Sequence, residues 1–252
     1  MIWLIGGTSE SAVIAEKLMA QGYDCLVSVT TEAAIALYPD SDLITVKVGA
    51  LSPEAMVRLI QEYEIKIIID ASHPYATAIS ESAIALAKQW DLPYLRYERP
   101  NLSAEPDDQT IILDSFDTLV NGDYLQQQRV LLTIGYKALP QLQPWHEHAQ
   151  LFARILPTVT SLKAALAAGF THKQLIALRP PVSYDLEKAL CLQWEISLIV
   201  TKASGKAGGE DTKKAVAQAL NIPLIIIDRP HLIYPEKTST LENVVTFCQD
   251  HD

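Results

Sequence analysis

Ile65-Lys66-Ile67-Ile68-Ile69-Asp70-Ala71-Ser72-His73-Pro74-Tyr75-Ala76 is the stretch that decides the fold class. The run from Ile65 to Ile69 is almost wholly apolar and β-branched, as in a strand buried on both faces. A carboxylate, a hydroxyl, an imidazole and a phenol follow within a few residues. In an open parallel α/β sheet, ligands sit beyond the carboxyl ends of the strands. The cluster therefore lies where such a fold does its work. A purely local reading competes with this one: Asp70 and Ser72 would cap the next helix, and His73-Pro74 would make a turn.

The pattern repeats on either side of this stretch. Upstream, strands are expected at residues 2–5, 25–29 and 43–48, with helices at 9–21 and 53–63; Gly22 is a natural stop, and Ser52-Pro53-Glu54 opens the second helix. Downstream come a helix at 76–90 and a strand at 93–97. The stretch 99–108 holds two prolines and several acids and reads as loop. The alternation restarts beyond it, with strands at 130–134, 151–156, 175–178, 196–200 and 223–227 and a last helix at about 239–249. This predicts an α/β protein of two Rossmann-like halves, with mostly parallel sheets facing across a cleft. The expected domains are 1–128 and 129–252. An internal echo supports two similar halves: Asp91-Leu92-Pro93-Tyr94-Leu95 and Asn221-Ile222-Pro223-Leu224-Ile225 each read as a helix exit followed by a strand.

Composition narrows the function. The 252 residues are 49% hydrophobic, ample for a core, and carry a formal net charge of −10, which argues against a nucleic-acid partner. Cys25, Cys191 and Cys248 are far apart and form no metal-ligand spacing, so no metal is expected and a reducing, cytoplasmic setting is. No apolar run reaches membrane-spanning length, and the first residues lack the basic start of a signal peptide. Oligomeric state is open, and a monomer is compatible with the composition.

Four groups of residues carry candidate chemistry. Gly6-Gly7-Thr8-Ser9-Glu10 joins the first strand to its helix, where a glycine turn lets backbone approach a pyrophosphate at a helix N-terminus. It is not the standard fingerprint, because Thr8 and Ser11 stand where later glycines would. Thr30-Thr31 ends the second strand with Glu32 one step later and no adjacent arginine, so NADPH and NADH both remain open as cofactor. The cluster of Asp70, Ser72, His73 and Pro74 belongs to the same sheet and is expected to border the nicotinamide. Finally, Lys137, Arg154, Arg179, Lys202, Lys206 and Arg229 all follow or end strands of the second half, which suits a ligand with several carboxylates. Tyr184 and Lys188 match the Y-x-x-x-K spacing of short-chain dehydrogenases but lie at a helix entrance in the second half. A short-chain-type reductase and a non-catalytic dinucleotide-binding module are the competing function classes.

The combination resembles the precorrin-6A reductase family, also called cobalt-precorrin-6A reductase, of corrin-ring biosynthesis. The stretches that carry the resemblance are Gly6 to Glu10, Asp70 to Ala76, Tyr94-Leu95-Arg96-Tyr97-Glu98-Arg99-Pro100, Thr201-Lys202-Ala203-Ser204-Gly205 and Asp228-Arg229-Pro230. They occur in order and span nearly the whole chain. The family usually shows Arg-Gly-Pro-Phe where this chain has Arg179-Pro180-Pro181-Val182. The resemblance implies hydride transfer from NADPH or NADH to the C18–C19 double bond of a polycarboxylated tetrapyrrole. It places Arg96, Arg99, Lys137, Arg154, Lys202, Ser204, Gly205 and Arg229 on the substrate side. His73, Tyr75 and Lys202 are candidate proton donors by residue type, beside solvent and the substrate itself.

Overall fold

The structure is a computed structural model and describes residues 1–99 and 109–252. Pro100 and the expected loop residues 101–108 lie outside the described residues. The chain divides into two units, Met1–Pro100 with His231–Asp252, and Asn101–Pro230. The boundary expected at residue 128 is corrected in two places: the strand at 110–113 joins the second unit, and the C-terminal segment returns to the first. Sequence order could not show this, because both exchanged segments are sheet edges whose partners are distant along the chain.

In unit 1 the strands are β1 (Ile2–Ile5), β2 (Cys25–Val29), β3 (Ile44–Val48), β4 (Ile67–Asp70) and β5 (Tyr94–Tyr97), with helices α1 (Ser9–Ala20), α2 (Pro53–Glu62) and α3 (Thr77–Trp90). Unit 2 contains β6 (Thr110–Leu113), α4 (Phe116–Asn121), β7 (Arg129–Leu132), β8 (Gln150–Ile155), α5 (Val159–Ala167), β9 (Leu175–Ala177), α6 (Tyr184–Gln193), β10 (Leu198–Lys202), α7 (Glu210–Leu220) and β11 (Leu224–Ile227). The chain ends with β12 (Lys237–Thr238) and α8 (Leu241–Asp250) in unit 1. Each unit holds a six-stranded, all-parallel sheet, in the orders β12-β5-β4-β1-β2-β3 and β6-β11-β10-β7-β8-β9. The five inner and far strands follow the same Rossmann-like arrangement, with the chain reversal between β1 and β4 in unit 1 and between β7 and β10 in unit 2, but the edge strand comes last in the chain in unit 1 (β12) and first in unit 2 (β6).

The central strands of each sheet are buried on both faces, as their apolar composition requires, while the edge strands β3 and β6 are partly exposed. Ile2 and Leu4 pack with Ile14, Leu18 and Phe247 on one side, while Trp3 and Ile5 pack with Met56, Ile60 and Leu86 on the other. In unit 2, Val130 and Leu132 join Leu139, Leu142 and Trp145, whereas Leu131 meets Cys191, Val216 and Ala217. The segment Tyr136–Glu147 is 3-10 helix and not a regular α-helix; Pro140 and Pro144 lie inside it and cannot donate backbone hydrogen bonds. The echo between the halves is real in three dimensions. Asp91 and Asn221 both close their helices in the left-handed conformation, each with φ 53°, and the strands that follow occupy the same place in their sheets. Among the described residues, no helix is long and apolar enough to cross a membrane.

Candidate functional site

The carboxyl end of β1 is built around the glycine turn. A side chain on Gly6 would put Cβ 2.3 Å from the Tyr38 hydroxyl, so only glycine fits there. Gly7 has φ +95°, and a Cβ on it would meet nothing within 4 Å; the turn thus faces open space. Thr8 caps α1 in a reciprocal box with Ser11: the Ser11 amide donates to Thr8 Oγ1 and the Thr8 amide to Ser11 Oγ, both at 3.1 Å. The Thr8 hydroxyl also donates to the Ala71 carbonyl at 3.0 Å, tying the turn after β1 to the turn after β4. Tyr38, which the sequence reading missed, accepts from the Gly7 amide at 2.8 Å and shares a hydrogen bond with Ser11 Oγ at 2.6 Å. It is 31 residues from Gly7, with no local pattern to mark it. Thr30 is exposed at the end of β2.

Asp70 ends β4 but does not present its carboxylate to a ligand. It is 0% exposed, and its oxygens accept from the Ser72 amide (3.0 Å), Arg96 (2.8 Å), Ser80 Oγ (2.5 Å) and the Tyr94 hydroxyl (2.7 Å). Burial, and then the neighbouring Asp70 charge, push the Tyr94 phenol well above its usual range. Arg96 is 1% exposed; it also donates to Ser72 Oγ at 3.1 Å and stacks 5.2 Å from the Tyr234 ring centroid. The Asp70 carboxylate is therefore turned into the protein, while Arg96 both pairs with it and lines the small pocket beside the turn. A buried carboxylate is stable only when paired and fully hydrogen-bonded, and this pair serves to hold the turn Ala71-Ser72-His73-Pro74. On that turn, His73 Nδ1 accepts from the Tyr75 amide at 3.3 Å, and the two rings lie 5.8 Å apart. Arg99 donates to Glu10 at 2.5 Å. Thr8, Glu10, Ser72, Pro74, Arg96 and Arg99 border one small pocket, so the structure brings these predicted residues together.

In unit 2 the corresponding position is a cavity of about 330 Å³. It is lined by Gly135, Tyr136 and Lys137 after β7, Arg154 to Leu156 at the end of β8, Leu178 after β9 and Lys202 at the end of β10. Lys137, Arg154 and Lys202 are thus gathered from three separate strand ends, as the sequence reading expected. Burial, and then the neighbouring Lys137 charge, lower the Lys202 ammonium to about 8. Lys213 of α7 also lines the cavity, and sequence reasoning missed it because a lysine near Glu210 and Asp211 reads as an ordinary surface helix residue. Burial, and then Arg154, lower it to about 8 as well.

Other predicted residues of this half lie elsewhere. Ser204 and Gly205 do not line the cavity; Ser204 is buried against Gly208, and the Gly205 amide donates to Glu210 at 2.8 Å. Arg229 Nε donates to the Ala203 carbonyl at 3.0 Å, which holds the turn after β10. Arg154, by contrast, does line the cavity and is also ion-paired with the buried Glu187. Tyr184 and Lys188 stand outside the cavity at the start of α6, with the ammonium 5.8 Å from the phenol ring centroid.

The arrangement can hold anions. Unit 1 offers a glycine turn opening onto space at a helix N-terminus, and unit 2 offers a cavity in which cations are held above apolar walls. The family model described as "Precorrin-6x reductase CbiJ/CobK" matches residues 1–249. A cobalt-precorrin-6A reductase from Synechocystis sp. is 46% identical over 99% of this chain and 96% of the relative. One from Priestia megaterium is 34% identical over 97% of this chain and 96% of the relative. A solved structure described as "CobK precorrin-6A reductase" superposes with a TM-score of 0.80 at 22% identity, over 99% of this chain and 96% of that one, and so shares its fold.

Proposed function

The chain belongs to the precorrin-6x reductase (CbiJ/CobK) family, and from that premise we propose that it reduces the C18–C19 double bond of (cobalt-)precorrin-6A with NADPH or NADH, giving (cobalt-)precorrin-6B in cobalamin biosynthesis. The observation that carries this reading within the molecule is the cavity of unit 2. Lys137, Lys202 and Lys213 stand at its edge beside Ile134, Ile155, Leu156 and Leu178. A flat macrocycle with carboxylate arms needs that combination, apolar contact for the ring and charge for the arms.

The glycine turn of unit 1 fits the cofactor's pyrophosphate, because the space a Cβ on Gly7 would enter is open and lies at the N-terminus of α1. The bound cofactor supplies the hydride. The protein's part is to hold the reacting carbon, exclude water and deliver a proton to the adjacent carbon. Lys202 suits proton delivery on the unit 2 side, since its lowered affinity for the proton makes it a stronger acid than an exposed lysine. His73 and Tyr75 are the donors available on the turn after β4. Three buried free thiols suit a reducing cytoplasm.

The test is an anaerobic assay with metal-free and cobalt-containing precorrin-6A, each with NADPH and with NADH, read by absorbance of both partners. Oxidation of the cofactor together with a shift of the macrocycle spectrum is expected for at least one pairing. Cofactor binding with no oxidation in any pairing would leave the non-catalytic module as the better reading. Loss of activity in a Tyr184→Phe, Lys188→Met double variant would favour the short-chain-type enzyme.

A further inference from the structure

The glycine turn of unit 1 commits most of its backbone amides to the protein itself. The Gly6 amide donates to the Ser28 carbonyl of β2 at 2.9 Å, the Gly7 amide to the Tyr38 hydroxyl at 2.8 Å, and the Thr8 and Ser11 amides to each other's side chains. The Ala12 amide donates to the Thr8 carbonyl at 3.3 Å. Between Gly6 and Ala12, the Ser9 and Glu10 amides, the first two of α1, are left with no protein acceptor among the described residues. An anionic group bound at this turn therefore meets those two amides and not that of Gly7, and the residue that makes the difference is Tyr38.

Tyr38 comes directly after the 3-10 turn Glu32–Leu37 and is 8% exposed. The protons in its contacts can be arranged in one way. Ser11 Oγ gives its single proton to the Thr8 carbonyl at 2.7 Å. In the 2.6 Å contact between Ser11 Oγ and the Tyr38 hydroxyl, the phenol must then donate. Its oxygen is left to accept from Gly7. The result is a directed chain from the Gly7 amide through Tyr38 and Ser11 to the Thr8 carbonyl, in which each bond polarises the next. The same hydroxyl also dictates a glycine at position 6. A Cβ on Gly6 would lie 2.3 Å from it, against 3.0 Å from Val27 Cγ1 and 3.2 Å from Ser11 Oγ. The hydroxyl cannot yield to a Cβ without loosening both of its hydrogen bonds.

We propose that Tyr38 is a positioning residue for the reaction: it fixes the Gly7 peptide and the Thr8 cap so that the ligand's anionic group is received by the Ser9 and Glu10 amides. Tyr38 acts through Gly7, Thr8 and Ser11 and not by touching the ligand. The inference rests on the reading of this turn as an anion site. In that reading the anionic group is the phosphate of the dinucleotide, and a carboxylate arm of the tetrapyrrole has the same hydrogen-bonding chemistry. Tyr38→Phe keeps the buried ring and deletes only the hydroxyl. It leaves the Gly7 amide without its acceptor and Ser11 Oγ without one of its donors.

Calorimetric titration of the full chain with NADPH, NADH and uroporphyrin tests the idea. Tyr38→Phe should weaken both nicotinamide cofactors about tenfold, the low end for hydrogen bonds to a charged group, and leave uroporphyrin unchanged. Gly6→Ala should weaken them as well, by displacing the hydroxyl. The two changes act on one contact, so the Gly6→Ala, Tyr38→Phe double variant should bind no worse than the weaker of the two single variants. A hydroxyl that serves only stability would give additive losses or weaken all three ligands together, and either result would overturn the proposal. A loss confined to uroporphyrin would keep Tyr38 in its role and make the anionic group a carboxylate. If Tyr38→Phe binds every ligand like the unaltered protein while Gly7→Val loses the cofactor, Tyr38 has no positioning role and the turn keeps its ligand. If neither variant alters any affinity, the turn is not an anion site and both readings fall. Should Gly6→Ala not fold, Tyr38→Phe against the three ligands decides alone.

Discussion

The two units share the order of five strands, yet the ends of their central strands are furnished in opposite ways. At the end of β4, Asp70 and Arg96 neutralise each other inside the protein, with four donors around the carboxylate. At the equivalent end of β10, Lys202 faces a cavity and has another lysine as its charged neighbour. One fold therefore uses the same topological position first to fix a loop and then to present charge. The turn after the first strand differs in the same sense. Gly6-Gly7-Thr8 enters a capped α-helix, whereas Gly135-Tyr136-Lys137 enters a proline-containing 3-10 segment that leaves room for the cavity.

The most severe test of this contrast is a pair of stability measurements. Asp70→Ala removes the near partner of the buried Arg96, leaving Glu98 at 3.9 Å, and should destabilise the fold by about 3–5 kcal/mol, read by urea unfolding. Lys202→Met removes a desolvated cation with a like-charged neighbour and should change stability far less. Similar losses in both variants would show that the β10 end is as structural as the β4 end.

Binding should reverse that ranking. Lys202→Met is expected to weaken affinity for a polycarboxylated tetrapyrrole such as uroporphyrin by about 1.5–3 kcal/mol, as for other hydrogen bonds to charged groups, with cofactor affinity little changed. A variant that binds the tetrapyrrole normally would remove unit 2 as the carboxylate site.

The same binding should depend on pH with a definite sign. Lys202 and Lys213 carry their charge below about 8 and lose it above. Tetrapyrrole affinity should therefore be highest on the acid side of that value and fall as pH rises through it. In Lys202→Met the fall should shrink. A flat profile from neutral pH upward would mean that neither ammonium holds a carboxylate.

In unit 1, Gly7→Val places a branched side chain at a φ of +95° and in the open space of the turn. Cofactor affinity should drop by about tenfold, or ~1.4 kcal/mol, in a titration with NADPH and with NADH. Unchanged cofactor affinity in folded protein would take the pyrophosphate away from this turn. The smallest effect is expected at Arg229. Arg229→Ala loses the bond to the Ala203 carbonyl, worth roughly 1 kcal/mol, and should loosen the turn beside Lys202 so that tetrapyrrole affinity falls less than in Lys202→Met.

Much of this was legible in the residues alone. Apolar β-branched runs separated by helix-period segments require a parallel sheet covered on both faces, because only that arrangement removes both faces of such strands from water. Gly6-Gly7 after the first strand, the Asp70 to Ala76 stretch and the basic residues at later strand ends are local patterns, and position in an α/β chain is enough to send them to the carboxyl edge of a sheet. What only the tertiary structure decided is how each side chain is used once there. That Arg96 is buried against Asp70, that Lys213 lies beside a cavity and not on the surface, and that Tyr38 closes the glycine turn are matters of contacts between residues far apart in the chain. The exchange of β6 and β12 between the units is of the same kind: an edge strand of two to four residues has almost no pattern of its own, and its place is set by the sheet edge that accepts its backbone hydrogen bonds.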